Sequence, residues 1–105
     1  MKNDFIHQVY FWLNDPASTS DRDKLIAGLV KLSAVKSIKA SHIGKPADTN
    51  RPVIDSSYAV SSLLIFANAA DQASYQIDPM HLEFIAECKS LWSKVIVYDT
   101  ENAVI

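Results

Sequence analysis

The chain is poor in the residues that mark several large classes of protein. Cys88 is the single cysteine among 105 residues, which excludes an internal disulfide and fits a reducing, cytoplasmic compartment. Gly28 and Gly44 are its two glycines, so a glycine-rich phosphate loop is excluded. Lysine and arginine total 10 against 12 acidic residues, and they are scattered rather than clustered. A nucleic-acid partner is therefore not expected.

Long apolar runs are also absent. No stretch approaches the roughly 20 residues that span a bilayer, and His7 and Gln8 interrupt the apolar segment near the N-terminus. We therefore predict neither a membrane span nor a signal peptide. An apolar fraction of 49% and a charged fraction of 21% are typical of a soluble protein. The length fits one domain, residues 1–105, built around one core.

Four segments have the apolar and β-branched content of strands. In the second segment, Lys39 and its small neighbours indicate a strand at the edge of the sheet. After the fourth segment, the tail from Thr100 is expected to be loose. In the first segment, alternation places His7 on the same face as Val9 and Phe11. The predicted strands are Phe5–Leu13, Ser37–Gly44, Tyr58–Ala67 and Lys94–Asp99.

Helical spacing separates these strands. Leu25, Leu29 and Leu32 predict a helix that ends near Val35. A short helix is predicted over Ala69–Gln76, and a longer one follows, with Asp78 as N-cap and Pro79 as its first residue. The apolar face of the longer helix is expected to hold His81, Phe84, Ile85, Cys88 and Trp92.

The order β-α-β-β-α-β predicts an α+β, ferredoxin-like fold, a four-stranded antiparallel sheet with its helices on one face. Three of the strands are apolar on both faces, yet the helices can cover only one. We expect a second copy to bury the other face, around Ile6, Tyr10 and Trp12. The segment Gly44–Ser57 contains Pro46 and Pro52 and predicts a long loop, either a connector or a flap over a site.

One segment resembles the signature of the stress-responsive A/B-barrel (Dabb) family, a tyrosine followed by Pro-x-His at a helix start: Tyr75-Gln-Ile-Asp-Pro79-Met-His81. The opening Phe5-Ile-His7, the Leu91-Trp92 pair and the closing Val97-Tyr98-Asp99 are also similar to that family. The resemblance implies a homodimer in which two sheets pack into an α+β barrel.

The family includes stress-associated plant proteins, bacterial members of unassigned activity, and plant polyketide cyclases such as olivetolic acid cyclase. By resemblance, the functional positions of the cyclase fall at His7, Tyr75 and His81. A tyrosine on its first helix falls at Leu29, which puts the same substrate in doubt. The cyclase uses no cofactor, and the resemblance implies none here.

Cofactor-free aldol chemistry needs a base that takes a proton next to a carbonyl and a donor that stabilises the enolate oxygen. His81 fits the first role, since a helix N-terminus disfavours an imidazolium. Tyr75 can orient His81 or donate to the oxygen, and His7 points to the helix-covered face. The alternative to a catalytic role is a structural one, in which His81 simply hydrogen-bonds Tyr75 or a backbone group.

The remaining signals are weaker. The three histidines, His42 among them, have no spacing typical of a metal site, and Cys88 is expected to be a buried, inert thiol. Three hypotheses result: a homodimeric domain that holds a small apolar molecule between sheet and helices, a cofactor-free cyclase-like enzyme, and a monooxygenase-like member of the wider dimeric barrel group.

Overall fold

The strand and helix signals of the sequence correspond to real elements in the order predicted. The structure is a computed structural model that describes residues 3–104, so the three remaining residues of the predicted single domain, Met1, Lys2 and Ile105, lie outside the described residues. The elements are β1 (Phe5–Leu13), α1 (Thr19–Leu32), β2 (Ile38–Gly44), β3 (Val60–Phe66), α2 (Ala69–Gln76), α3 (Pro79–Cys88), a 3-10 turn (Lys89–Leu91) and β4 (Trp92–Glu101).

The four strands form one sheet in the order β2-β3-β1-β4, and every neighbouring pair is antiparallel. This arrangement confirms the ferredoxin-like α+β prediction and the edge position of β2. In the register of β1, His7 lies opposite Leu64 of β3 on one side and opposite Asp99 of β4 on the other. The central strand therefore fixes which residues meet around His7.

Side-chain caps start the helices where the sequence indicated. The Ser18 hydroxyl accepts a hydrogen bond from Asp21 N at 3.1 Å and caps α1. The Asp78 carboxylate accepts one from Met80 N at 2.8 Å and caps α3, whose first residue is Pro79. The junction between α2 and α3 is thereby set one turn before His81.

Two predicted boundaries were wrong at the C-terminal strand. β4 begins at Trp92 rather than Lys94 and continues to Glu101, so Trp92 is not on the helix and Thr100 is not in a loose tail. The reason is pairing with β1, which extends from Leu13 opposite Trp92 to Phe5 opposite Glu101. A hydrogen-bonded neighbour overrides the turn signals of the local sequence.

Smaller differences concern α1 and β3. The helix α1 ends at Leu32 instead of near Val35, because the next two N–H groups, of Ala34 and Val35, bond to carbonyls three residues back rather than four. Strand β3 is shorter than predicted at both ends, covering Val60–Phe66. These shifts leave the face of every core residue unchanged.

The helices cover one face of the sheet, which we call the helix face. On β1 the helix-face residues Val9, Phe11 and Leu13 are buried in the core, and His7 lies beside them. On β3 the same face carries Val60, Ser62, Leu64 and Phe66, all of them buried. The predicted alternation of β1 is confirmed.

The opposite side, which we call the open face, is lined by aromatic rings and is only half-buried. Tyr10 packs edge-on against Tyr58 at 5.0 Å and Tyr98 at 6.2 Å between ring centroids. The Trp12 indole donates to the Ser57 hydroxyl at 3.0 Å. The end of the long loop between β2 and β3 therefore lies on the open face.

Among residues 3–104, no helix is long and apolar enough to cross a membrane.

Gly28 allows α1 and α3 to approach closely. A Cβ at this position would lie 2.7 Å from Cys88 Sγ and 3.2 Å from Phe84 Cδ1, closer than packed atoms tolerate. Cys88 and Phe84 are both buried in the core, so a shift of either side chain disturbs its other packing contacts. The glycine thus determines how tightly α3 seals the helix side.

We predict that Gly28→Ala lowers the free energy of unfolding by about 1 kcal/mol. The overpacking cost, about 1–3 kcal/mol, exceeds the roughly 1 kcal/mol that alanine gains in helix propensity. Cys88→Ala should relieve the clash, so a double-mutant cycle measured by urea denaturation should give a favourable coupling between the two substitutions. A stabilised Gly28→Ala protein would contradict this packing.

Candidate ligand-binding and catalytic site

A cavity of about 200 Å³ lies between the helix face of the sheet and the helices. All three candidate residues line it: His7 from β1, Tyr75 from α2 and His81 from α3. The structure therefore brings together residues that are 74 positions apart in the chain, while their roles stay predictions. The cavity is also lined by Val9, Phe11, Leu29, Leu32, Ser62, Gln76, Phe84, Ile85, Trp92, Val95 and Val97.

His7 is held by a carboxylate on the neighbouring strand. Its Nδ1 lies 2.5 Å from Asp99 Oδ1, and a carboxylate can only accept, so Nδ1 carries the hydrogen. The His7 side chain is 8% exposed and that of Asp99 43%, so the acid stays in contact with water while the imidazole is buried. This geometry points the other ring nitrogen of His7 away from Asp99.

His81 is fixed by the backbone of the preceding helix. Its Nδ1 lies 3.1 Å from the carbonyl oxygen of Gln76, the last residue of α2. A carbonyl oxygen accepts hydrogen bonds and cannot donate, so Nδ1–H is the donor. The neutral imidazole then has its lone pair on Nε2, which can accept a proton.

Burial favours the neutral form of His81. It lowers the pKa of His81 from its ordinary value, and the nearby His7 lowers the pKa further, while the Gln76 carbonyl and Asp78 act in the opposite direction. The pKa of Tyr75 is raised well above its ordinary value because the phenol is buried, so Tyr75 is a neutral hydrogen-bond donor at physiological pH.

The Tyr75 ring connects the two histidines. Its centroid lies 5.9 Å from that of His7 and 4.7 Å from that of His81. Tyr75 is 3% exposed, yet no group in residues 3–104 forms a hydrogen bond with its hydroxyl. Since Tyr75 lines the cavity, its hydroxyl is available to a molecule that enters. Of the two predicted partners for His81, the backbone group is the one observed.

The rest of the wall is apolar and partly aromatic. Trp92 packs against Phe11 at 5.0 Å and stacks on Phe84 at 5.9 Å between ring centroids. Val95 and Val97 of the edge strand β4 are 41% and 46% exposed, so the cavity opens to solvent beside β4. A ligand would pass these two valines and then meet aromatic rings and the polar side chains of His7, Tyr75 and His81, which we call the polar trio.

Sequence reasoning missed two polar residues of this site. Asp99 was part of the family resemblance but had no role, and only the antiparallel register of β1 and β4 places it opposite His7. Ser62 is one of two adjacent serines in β3, and nothing in their spacing distinguishes the one that faces the helices. Leu29, which stands where the cyclase has a tyrosine, lines the cavity and adds no hydroxyl.

The other candidate groups lie elsewhere. His42 is exposed on the edge strand β2, and Cys88 is buried between helices with the pKa of its thiol raised by burial. Within the described part of the chain, no three His, Cys, Asp or Glu side chains are grouped so that they could hold a metal ion.

Comparisons with known proteins place this architecture in a family. Residues 5–102 match the model of the stress responsive A/B barrel domain, so the chain belongs to the Dabb family. A Dabb family protein with a ferredoxin-like fold from Mesorhizobium loti is similar over 94% of this chain and 96% of its own, at 20% identity and a TM-score of 0.76. A comparison with curated proteins finds no match.

Two further solved structures share the fold. A hydroxynitrile lyase from Passiflora edulis covers 100% of this chain and 99% of its own, at 21% identity and a TM-score of 0.80. A dimeric ferredoxin-like protein of unknown function from Thermobifida fusca covers 97% and 93%, at 16% identity and a TM-score of 0.77. At these identities the likeness establishes the fold alone.

The lowered pKa of His81 predicts a pH dependence of stability. The folded state binds the proton less tightly than the unfolded state, so the contribution of neutral His81 is present above the ordinary pKa of about 6.5. It is lost as the pH falls through that value towards the lower pKa of the folded protein. His81→Gln keeps a donor for Gln76 but cannot titrate.

We therefore expect urea denaturation between pH 8 and pH 5 to show a smaller loss of stability in His81→Gln than in the wild type. His42→Gln, on the exposed edge strand, is the matched control and should follow the wild-type curve. Identical pH profiles for wild type and His81→Gln would contradict the assignment.

Proposed function

We propose that each subunit of a homodimer binds a small, mostly apolar molecule that carries a carbonyl or hydroxyl oxygen. The observation that supports this proposal is the convergence of Tyr75, His81 and His7 on one cavity with apolar walls. The Tyr75 hydroxyl donates to the ligand oxygen, and Nε2 of His81 accepts from a ligand hydroxyl. The cavity has about the volume of seven molecules of liquid water, less than drug-sized pockets usually have.

The homodimer is supported by the open face. A single chain leaves Ile6, Tyr10 and Trp12 only half-buried, and an additional groove of about 270 Å³ lies among the rings there. Aromatic side chains at the centre of a surface are typical of interfaces. The dimeric Thermobifida fusca protein with the same fold agrees with this arrangement.

We expect Tyr10→Glu to dissociate the dimer, because it places a charge at the centre of the aromatic cluster. Tyr10 is a better position for this test than Trp12. The Lys94 ammonium lies 4.5 Å from the centroid of the Trp12 ring and could form an ion pair with a glutamate there. Sedimentation at micromolar concentration should show twice the 11.7 kDa chain mass for the wild type and a single chain mass for Tyr10→Glu.

Val30→Glu is the control, since Val30 is 56% exposed on α1, away from the open face. It should sediment as the wild type does. A wild-type protein that sediments as a monomer would refute the homodimer.

The second candidate is a cofactor-free lyase, and the tautomer of His81 favours it. Nε2 of His81 takes the proton of a substrate hydroxyl, and the C–O bond becomes a carbonyl as the adjacent carbon–carbon bond breaks. The leaving carbon keeps the electron pair and takes the proton back from His81. The Tyr75 hydroxyl stabilises the oxygen as its charge develops.

This step cleaves hydroxynitriles, the activity that the Passiflora edulis neighbour is named for, and in the reverse direction it is the bond-forming step of cyclase-type aldol chemistry. The small cavity favours a compact hydroxynitrile or β-hydroxy ketone over a long polyketide chain. Leu29, which adds no hydroxyl, agrees with that preference.

We predict that benzaldehyde and acetophenone, titrated into labelled protein, shift the backbone NMR signals of residues around the cavity. His81→Ala should weaken binding by about 3–10-fold, the effect of one lost hydrogen bond, and lower the stability by no more than about 1 kcal/mol, because the exposed Gln76 can bond to water instead. His42→Ala should bind as the wild type does. Unaltered binding together with a stability loss of about 1–3 kcal/mol would make His81 a structural residue.

Turnover of mandelonitrile to benzaldehyde, followed by absorbance, separates the two candidate functions. A rate above the uncatalysed one that His81→Gln and Tyr75→Phe both abolish would establish the lyase. Binding with no such rate for mandelonitrile or for a β-hydroxy ketone would leave the binding protein.

A further inference from the structure

Ser62 is a buried hydroxyl that the proposed chemistry does not use. It is 5% exposed, and its neighbours on the helix face of β3 are Val60 and Leu64. No group in the described residues forms a hydrogen bond with it. Ser62 lines the cavity, where its hydroxyl can meet water or a ligand, and valine or alanine would suit this apolar strand equally well. A polar residue on an otherwise apolar face is typical of functional positions.

The position of Ser62 relative to the polar trio is set by the sheet register. Ser62 lies opposite Val9, which is two residues along β1 from His7 and on the same face. Diagonal positions of this kind on neighbouring strands lie about 7–8 Å apart. Ser62 lines the same cavity as Tyr75 and His81. The cavity wall therefore carries polar side chains at two places, Ser62 and the Tyr75–His81 pair, which we call its two polar ends.

The aromatic side chains of the cavity wall suit a ligand with a flat ring. The lining includes Phe11, Phe84 and Trp92, whose rings pack against one another beside the cavity. Aromatic faces and edges pair well with another aromatic ring. An aromatic ring with a polar substituent at each end matches the spacing between Ser62 and the polar trio, and it matches the aromatic wall.

We propose that Ser62 is a second polar anchor, and that the ligand is an aromatic carbonyl compound, or its hydroxyl-bearing adduct, with a further hydroxyl on the ring. This inference rests on the proposed function of the cavity. The carbonyl-end oxygen meets Tyr75 and His81, and the ring hydroxyl exchanges a hydrogen bond with Ser62. A site that hydrogen-bonds a ligand hydroxyl discriminates against analogues that lack it.

Matched probes test this assignment. The 3-hydroxy and 4-hydroxy benzaldehydes are each compared with the methylbenzaldehyde of the same shape, and dissociation constants are measured by NMR titration. For at least one hydroxyl position, the preference of the wild type for hydroxyl over methyl should fall by about 3–10-fold in Ser62→Ala. Ser61→Ala, the same change on the open face of the same strand, should keep the wild-type preference.

Stability provides an independent measurement. Because Ser62 has no protein partner to lose, Ser62→Ala should keep or raise the melting temperature of the free protein. Ser62→Cys, close in shape but a weak donor, should reduce the hydroxyl preference as well.

The outcomes separate the two proposals. If both probe types bind in a His81-dependent way and Ser62→Ala leaves their ratio unchanged, the anchor is wrong while the proposed function stands. A Ser62→Ala protein that is clearly less stable than the wild type likewise assigns Ser62 a structural role. If neither probe binds in a His81-dependent way, the proposed function fails, and the anchor fails with it.

Discussion

Strand β1 is hydrogen-bonded along both edges, to β3 and to β4, and it carries apolar residues on both faces. Its place at the centre of the sheet dictates most of what surrounds it. The helix face must receive the helices, which bury Val9, Phe11 and Leu13. The open face, with Tyr10 and Trp12, is left for another surface, and the register against β4 brings Asp99 to His7.

The same constraint produces the site. His7 occupies a core position of β1 at the end where the helix cover consists of the junction between α2 and α3. There the helix end of α2 leaves the Gln76 carbonyl free of a helical partner, and His81 in the first turn of α3 donates to it. A structural need at a helix end thus also selects the tautomer of His81 that can act as a base.

The fold could be predicted from the sequence because the sequence patterns that indicate each element are local and agree with one another. The alternation of β1, the Asp78-Pro79 helix start and the leucine spacing of α1 each predict an element and its buried face. The end of β4 was not readable, because its last residues are held by pairing with β1, which lies some 90 positions earlier in the chain. Long-range pairing leaves no mark in the short segment that it extends.

The candidate site was predictable in part for the same reason. His7, Tyr75 and His81 could be named from strand parity and from a resemblance that covers them. Asp99 and Ser62 depend on register across strands, and the space between the groups depends on packing of Phe84 and Trp92. No spacing in the sequence encodes a cavity, since it is the volume that surrounding side chains leave unfilled.

The protonation pattern of His81 is the most direct test of this account, because both the binding and the lyase chemistry need a bare Nε2. Nitrogen-15 NMR of the imidazole rings at pH 7.5, assigned with His81→Gln and His42→Gln, distinguishes the two nitrogens. We expect His81 to be neutral with hydrogen on Nδ1 and a lone pair on Nε2. An Nε2–H tautomer, or an imidazolium at that pH, would contradict the role of His81 as the acceptor in the cavity.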